Sequence, residues 1–276
     1  MTRLAFIAVL AGAALAWPLA AAAQDLSKYP DWSGQWTKPP GVGNNWVSDK
    51  PGGRGQQAPL TAEYLAMFDE KAADRAAGGL GGDPTGLCLP HGMPRMMIAV
   101  YPLEFIITPG TVYILTDYTT HRRIFTDGRA WPADVLPSFN GYSIGNWLDT
   151  DGDGRYDLLE IETRGFKGPR TLEGSGLPLH RDGQTIVKER LKLDGADQDL
   201  MRNETTVTDN ALTRPWTVSR SYRRERNPSW DFVDCAENNP HVVVGKETYM
   251  FSADGYLMPT KKGQASPDLR YFQTQR

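Results

Sequence analysis

Residues 103–129 read LEFIITPGTVYILTDYTTHRRIFTDGR. Three runs rich in β-branched and aromatic residues stand out: Leu103 to Thr108, Thr111 to Asp117 and His121 to Thr126. Pro109-Gly110 and the turn Tyr118-Thr119-Thr120 separate them, and Thr126-Asp127-Gly128-Arg129 closes the third. Short runs of this composition, bounded by turn residues, predict a β-meander. In the third run a period of two puts His121, Arg123 and Phe125 on one face and Arg122 and Ile124 on the other. One of the two arginines must share a face with a bulky apolar neighbour. If that face turns inward, the arginine is a ligand or counter-ion group; if outward, it is a solvated charge.

The same punctuation continues outward in both directions. Downstream, Ser143 to Leu148, Tyr156 to Thr163, Thr185 to Leu193, Leu200 to Thr208 and Pro215 to Arg224 read as strands, with Trp230 to Cys235 and His241 to Val244 as shorter runs. In the third of these, Val187, Glu189, Leu191 and Leu193 share a face. After Tyr249-Met250-Phe251 the Lys- and Pro-rich tail is expected along the surface. Upstream, Asp31 to Trp36 opens strand-like, and Thr37 to Ala58 is a Pro/Gly/Asn-rich surface excursion that Trp46 could pin. One helix follows. Thr61 is its N-cap, Leu60 and Leu65 form a hydrophobic staple, Leu65, Phe68 and Ala72 make the apolar stripe, and Gly78-Gly79 ends it. The sum is a mainly β domain over residues 24–276: an antiparallel barrel-like (calyx/lipocalin-like) or sandwich fold with one N-terminal helix.

Residues 1–23 read as a signal peptide. Arg3 supplies the positive region, Leu4 to Leu15 the apolar core, and Ala21-Ala22-Ala23 the small-residue cleavage pattern before Gln24. The apolar run is too short for a membrane span, so the mature protein is expected in the periplasm or secreted, with no span after cleavage. In an oxidising compartment Cys88 and Cys235 read as a disulfide. The formal net charge is −3, with both signs mixed along the chain, so nucleic acid is not an expected partner. The cluster Arg220, Arg223, Arg224 and Arg226, interrupted by Glu225, reads as a solvated strand face.

The sharpest ligand spacing lies in WLDTDGDGRYDLLEIET, residues 147–163. Asp149, Asp151, Asp153, Gly154, Asp157 and Glu160 fall at the side-chain and glycine positions of a calcium loop, and the Arg155 carbonyl would fill the seventh. The flanks are strands rather than helices, so a structural Ca²⁺ would rigidify a hairpin; a solvated Asp/Gly-rich tip is the alternative. The four histidines form no metal-binding pair in sequence, no Gly-x-Ser-x-Gly elbow occurs, and no phosphate loop or dinucleotide fingerprint suggests a nucleotide cofactor. The segment from Cys88 to Met97 mixes His91 and Arg95 with Met93 and Met96, which reads either as a pocket wall or as a core-crossing loop. Candidate acid–base groups are therefore His91, Arg95, His121 and Arg123. Met93, Met96, Tyr101, Glu104, Glu237 and His241 are candidate ligand contacts.

Cys88-x-Pro-x-Gly-Met-Pro-Arg-Met-Met, Arg122-Arg123-Ile124-x-Thr126-Asp127-Gly128-Arg129, Gly141-x-Ser143-Ile144-Gly145-x-Trp147 and Thr213-Arg214-Pro215-Trp216-Thr217 together resemble a family of secreted, mainly β proteins of Gram-negative bacteria. The resemblance spans nearly the whole mature chain and implies a shared β-rich secreted domain; it carries no activity with it. That pattern has a short Gly-Asp-Thr turn where this chain has Asp149 to Tyr156, which makes the acidic loop an elaboration of a hairpin. Three functional readings follow. The first is a periplasmic protein that binds a small, partly apolar or aromatic molecule in a β cavity. The second is a cofactor-independent lyase, isomerase or hydrolase using His and Arg in that cavity. The third is a structural envelope protein.

Overall fold

The computed structural model describes residues 26–118, 121–229, 231, 233–237 and 239–267. The expected leader, the mature start at Gln24, Thr119-Thr120 and Trp230 lie outside the described residues. Nine strands close into a barrel in chain order. They are β1 (Gln35–Thr37), β2 (Leu103–Thr108), β3 (Thr111–Thr116), β4 (Arg122–Phe125), β5 (Tyr142–Leu148), β6 (Leu158–Arg164), β7 (Ile186–Leu193), β8 (Leu200–Thr208) and β9 (Trp216–Glu225). β1 closes the ring by pairing antiparallel with both β2 and β9. Of the two architectures the pattern allows, the chain builds the barrel.

A ring of nine strands cannot be antiparallel throughout, because each antiparallel step reverses direction and nine reversals do not return to the start. One parallel pair is obligatory. It falls between β4 and β5, where Ile124↔Ser143 and Phe125↔Ile144 are the positions in register. A hairpin cannot join parallel strands, and residues 126–141 supply the longer connection. Every other neighbouring pair in the ring is antiparallel.

Alternation then decides what fills the interior. On β7 it sends Val187, Glu189 and Leu191 inward; on β8, Met201, Asn203, Thr205 and Val207; on β9, Trp216, Val218, Arg220, Tyr222 and Arg224. Polar groups therefore sit within an apolar lining. Arg220 and Arg224 depart from the solvated reading of their cluster, since both are buried. Arg220 donates to the carbonyls of Asn45, Gly43 and Ile98, and Arg224 lies over the Trp36 ring at 4.6 Å. Only Arg223 and Arg226 point outward, paired with Asp197 and Asp199.

The helix α1 (Ala62–Ala76) starts at Thr61, whose hydroxyl accepts from the Tyr64 N–H at 3.3 Å. Its buried face is Tyr64 and Phe68, and Ala72 is exposed. The stripe is thus rotated from the expected one because the Tyr64 ring packs against His180 at 5.2 Å. The run His241 to Val244 forms a strand as expected, while the tail after Phe251 adds one that was not, Leu257–Pro259. β10 (His241–Val244), β11 (Glu247–Phe251) and β12 (Leu257–Pro259) form a separate antiparallel sheet, turned at Gly245 and Gly255, which both hold positive φ. Among the described residues of the run before it, Val233 makes one bridge to Tyr118, and Cys235 opens a short 3-10 turn.

Cys88 and Cys235 are bonded, 147 residues apart in sequence, and tie the segment before β2 to the segment before β10. A cross-link of that span stabilises by about 4–5 kcal/mol in the chain-entropy form. Among the described residues no helix is long and apolar enough to cross a membrane.

Candidate functional site at the parallel seam

The inward arginine of the pair at 122–123 is Arg122. Its strand pairs Ile114↔Arg122 and Val112↔Ile124, so the guanidinium enters the barrel beside apolar neighbours and is 1% exposed. Such a charge persists only with partners. Nη2 donates to Glu189 Oε2 at 2.5 Å and to Thr163 Oγ1 at 2.8 Å, and Nε donates to Ser143 Oγ at 3.2 Å. The Ser143 and Thr163 hydroxyls are 2.9 Å apart. Glu189 Oε1 accepts from Asn203 Nδ2 at 3.3 Å. Asn203 also donates to the Tyr222 hydroxyl at 3.1 Å, which in turn donates to the Met97 carbonyl at 2.5 Å. One chain of hydrogen bonds thus crosses the barrel from β4 to the 3-10 turn Arg95–Ile98. Burial raises the Tyr222 hydroxyl above its ordinary pKa, so it remains a neutral donor.

One nitrogen of this network is left over. Arg122 Nη1 is buried and has no acceptor. Arg122 and Ser143 line a hollow of about 560 Å³ that opens at the β4–β5 seam. There Asn140 Nδ2 donates to the His121 carbonyl at 3.1 Å. Phe125, Phe139 and Tyr142 form aromatic walls, with Phe125 and Tyr142 ring centroids 5.0 Å apart. His121, Arg123 and Lys167 stand at its rim, and Pro90 completes one side. Gly141 permits the tight approach. It holds φ +66°, and a Cβ there would stand 2.6 Å from the Arg164 carbonyl.

The expected site residues divide between two places. His121 and Arg123 line the seam hollow. His91, Arg95 and Tyr101 gather behind Pro90 in a second cluster. The His91 ring stacks on Tyr118 at 4.6 Å and Tyr101 stacks on Tyr118 at 4.9 Å. Arg95 donates to both oxygens of Asp83, at 2.8 and 3.2 Å, and to Thr171 at 3.1 Å. Burial, reinforced by the Arg95 charge and opposed by Asp83, pulls the His91 pKa down to about 4. Met93 and Met96 are packed in the core. Glu104 lies on the outer side of β2, in a groove with Tyr29 and Asp31. Glu237 is exposed in the 3-10 turn, and His241 opens β10 with Nδ1 3.0 Å from Asn239 Oδ1.

The acidic loop is the tip of the β5–β6 hairpin. Asp149, Asp151 and Asp153 each offer an oxygen within 4.8 Å of one another, and could hold a divalent cation. Asp149 already accepts from the Gly152 and Gly154 N–H groups. Asp157 is turned to Thr150, and Glu160 stands on the outer wall of β6, 3.4 Å from Arg190. Arg155 faces the groove of Glu104. The three aspartates are therefore what the loop presents together.

Ser143, Thr163, Glu189, Asn203 and Tyr222 were not expected in the site. Each had one signal: a polar residue on the apolar face of its strand, as Glu189 sits between Val187 and Leu191. No family model, curated protein or solved structure matches the chain.

Two stability measurements follow from this geometry. In urea denaturation, Arg122→Met should cost about 3–5 kcal/mol because it strands a buried carboxylate. The double change Arg122→Met/Glu189→Leu should recover most of that loss; no recovery would show that the pair is not coupled. His91 titrates lower in the folded chain than the ordinary value of 6.5. Between the two values the unfolded chain binds the extra proton, so this contribution is complete above pH 6.5 and is lost as pH falls towards 4. The loss should reach at most about 3 kcal/mol, and His91→Phe should flatten that part of the stability–pH curve.

Proposed function

We propose that the protein binds a small, partly apolar or aromatic molecule in the wall of the barrel, at the parallel seam, with Arg122 at the floor of the site. The observation that carries this reading is an aromatic-walled hollow lined by Arg122, whose Nη1 is a buried guanidinium nitrogen without an acceptor. Buried donors are almost always satisfied. A ligand oxygen on the floor would complete the guanidinium, and the rings would cover an apolar body. The hollow lies at the β4–β5 seam rather than along the barrel axis, where Trp36, Tyr222 and Arg220 occupy the interior.

Another hollow of similar size, about 490 Å³ over the outer face of β5 to β8, offers less. Its charges satisfy each other: Lys188 lies 3.5 Å from Glu162, and Arg190 lies 3.4 Å from Glu160. Export to the periplasm belongs to the same proposal, supported by the leader pattern of residues 1–23 and by the Cys88–Cys235 bond. So does kinship with the secreted β-rich family that the Cys88 to Arg129 motifs resemble. The three loop aspartates could add a structural Ca²⁺, remote in function from the seam.

A screen of small organic fragments by protein NMR tests the reading. Binders should shift the backbone amides of residues 139–143 and Lys167 in a saturable way. Binders that map elsewhere, or a screen with none at millimolar concentration, would overturn it.

A further inference from the structure

We infer that the molecule taken at the seam is a flat aromatic carboxylate, a monoanion whose ring lies between the aromatic walls. This rests on the seam as the ligand site and adds the charge and shape of the ligand.

The charge census of the hollow is one-sided. Arg122, Arg123 and Lys167 line it, together with His121, and no Asp or Glu does. That asymmetry stands out in a chain whose net charge is −3. Elsewhere on the surface basic side chains are commonly matched with acids, as with Arg202 and Asp194 at 2.6 Å or Arg223 and Asp197 at 2.6 Å. At the seam Arg123 and Lys167 have no carboxylate partner among the described residues; Arg123 instead lies 5.9 Å from the Tyr113 ring centroid. Glu189 neutralises Arg122 from behind, through Nη2. The rim therefore carries an uncompensated positive charge that favours an anion.

The floor selects the kind of anion. Arg122 has one uncommitted nitrogen rather than a two-nitrogen fork, since Nη2 and Nε are already engaged. A phosphate dianion gains most from several donors at once, and here it would stand one guanidinium away from the Glu189 carboxylate. A carboxylate can accept from Nη1 with one oxygen and face the Arg123 and Lys167 charges with the other. Phe125, Phe139 and Tyr142 then offer flat surfaces to a ring.

Isothermal titration with 2-naphthoate and its neutral amide, 2-naphthamide, tests this on the whole chain. The acid should bind at least about tenfold more tightly than the amide, with an advantage that shrinks as salt is raised. The double variant Arg123→Gln/Lys167→Gln changes two exposed side chains and should remove that advantage while leaving the fold and amide binding intact. Inorganic phosphate at the same concentration should compete poorly. Equal affinity for acid and amide, an acid preference that survives in the double variant, or phosphate binding as tightly as naphthoate would each overturn the inference. So would the absence of saturable naphthoate binding. If neutral fragments still map to the seam in those cases, the ligand class falls and the small-molecule reading stands.

Discussion

A closed ring with an odd number of strands must contain one parallel step, and most of what is distinctive in this protein follows from where that step falls. It falls between β4 and β5. Parallel strands need a crossover, so residues 126–141 leave the sheet and return, and the two strands are in register at Ile124↔Ser143 and Phe125↔Ile144. A hollow lies beside these two pairs, lined by residues 121–123 and 138–143.

What stands behind the opening is a buried ion pair that spans the barrel. Arg122 on β4 meets Glu189 on β7 with both side chains at most 1% exposed. Desolvating two charges costs several kcal/mol each, and their attraction recovers this only when the remaining lone pairs and protons are also satisfied. Ser143 on β5, Thr163 on β6, Asn203 on β8 and Tyr222 on β9 do that work. Because a one-residue slip would turn any of these side chains to the outer face, the network holds six strands to one register. Its single uncommitted nitrogen, Arg122 Nη1, is buried, and it is the donor that the proposed ligand would engage.

Much of this could be read from residues. The alternation from Leu103 to Arg224 places β2 to β9 within a few residues of where they form, and the single pair Cys88 and Cys235, read for an expected oxidising compartment, matches the disulfide that forms. The sequence also poses the choice between Arg122 and Arg123 in the right terms. What decides it is pairing with β3 and β5, which no local pattern contains. Glu189 is visible among Val187, Leu191 and Leu193, but its partner lies 67 residues away on a strand that is not its neighbour. The arginines at 220 and 224 look like surface charge because their acceptors are loop carbonyls and remote aspartates, such as Asp31 for Arg224. In the β10–β12 sheet, β10 is legible as the run His241 to Val244; β12 and the pairing of the three into a separate sheet escape, because the strands are short and the turns use Gly245 and Gly255. The calcium spacing is real in sequence, yet β-hairpin geometry sends Glu160 to the outer wall, where a helical flank would have returned it to the loop.

The central claim is that Glu189 holds Arg122 inside the barrel through Nη2 and that a ligand at the seam engages the remaining buried nitrogen, Nη1. Side-chain ¹⁵N–¹H NMR of the Arg122 guanidinium, recorded with and without an aromatic carboxylate, tests it most directly. The account predicts a slowly rotating guanidinium with separate Nη1 and Nη2 resonances. Ligand should shift the Nη1 protons and slow their exchange with water, while the Nη2 protons stay nearly fixed. A freely rotating guanidinium, or a ligand that binds at saturation and leaves Nη1 unmoved, would contradict it.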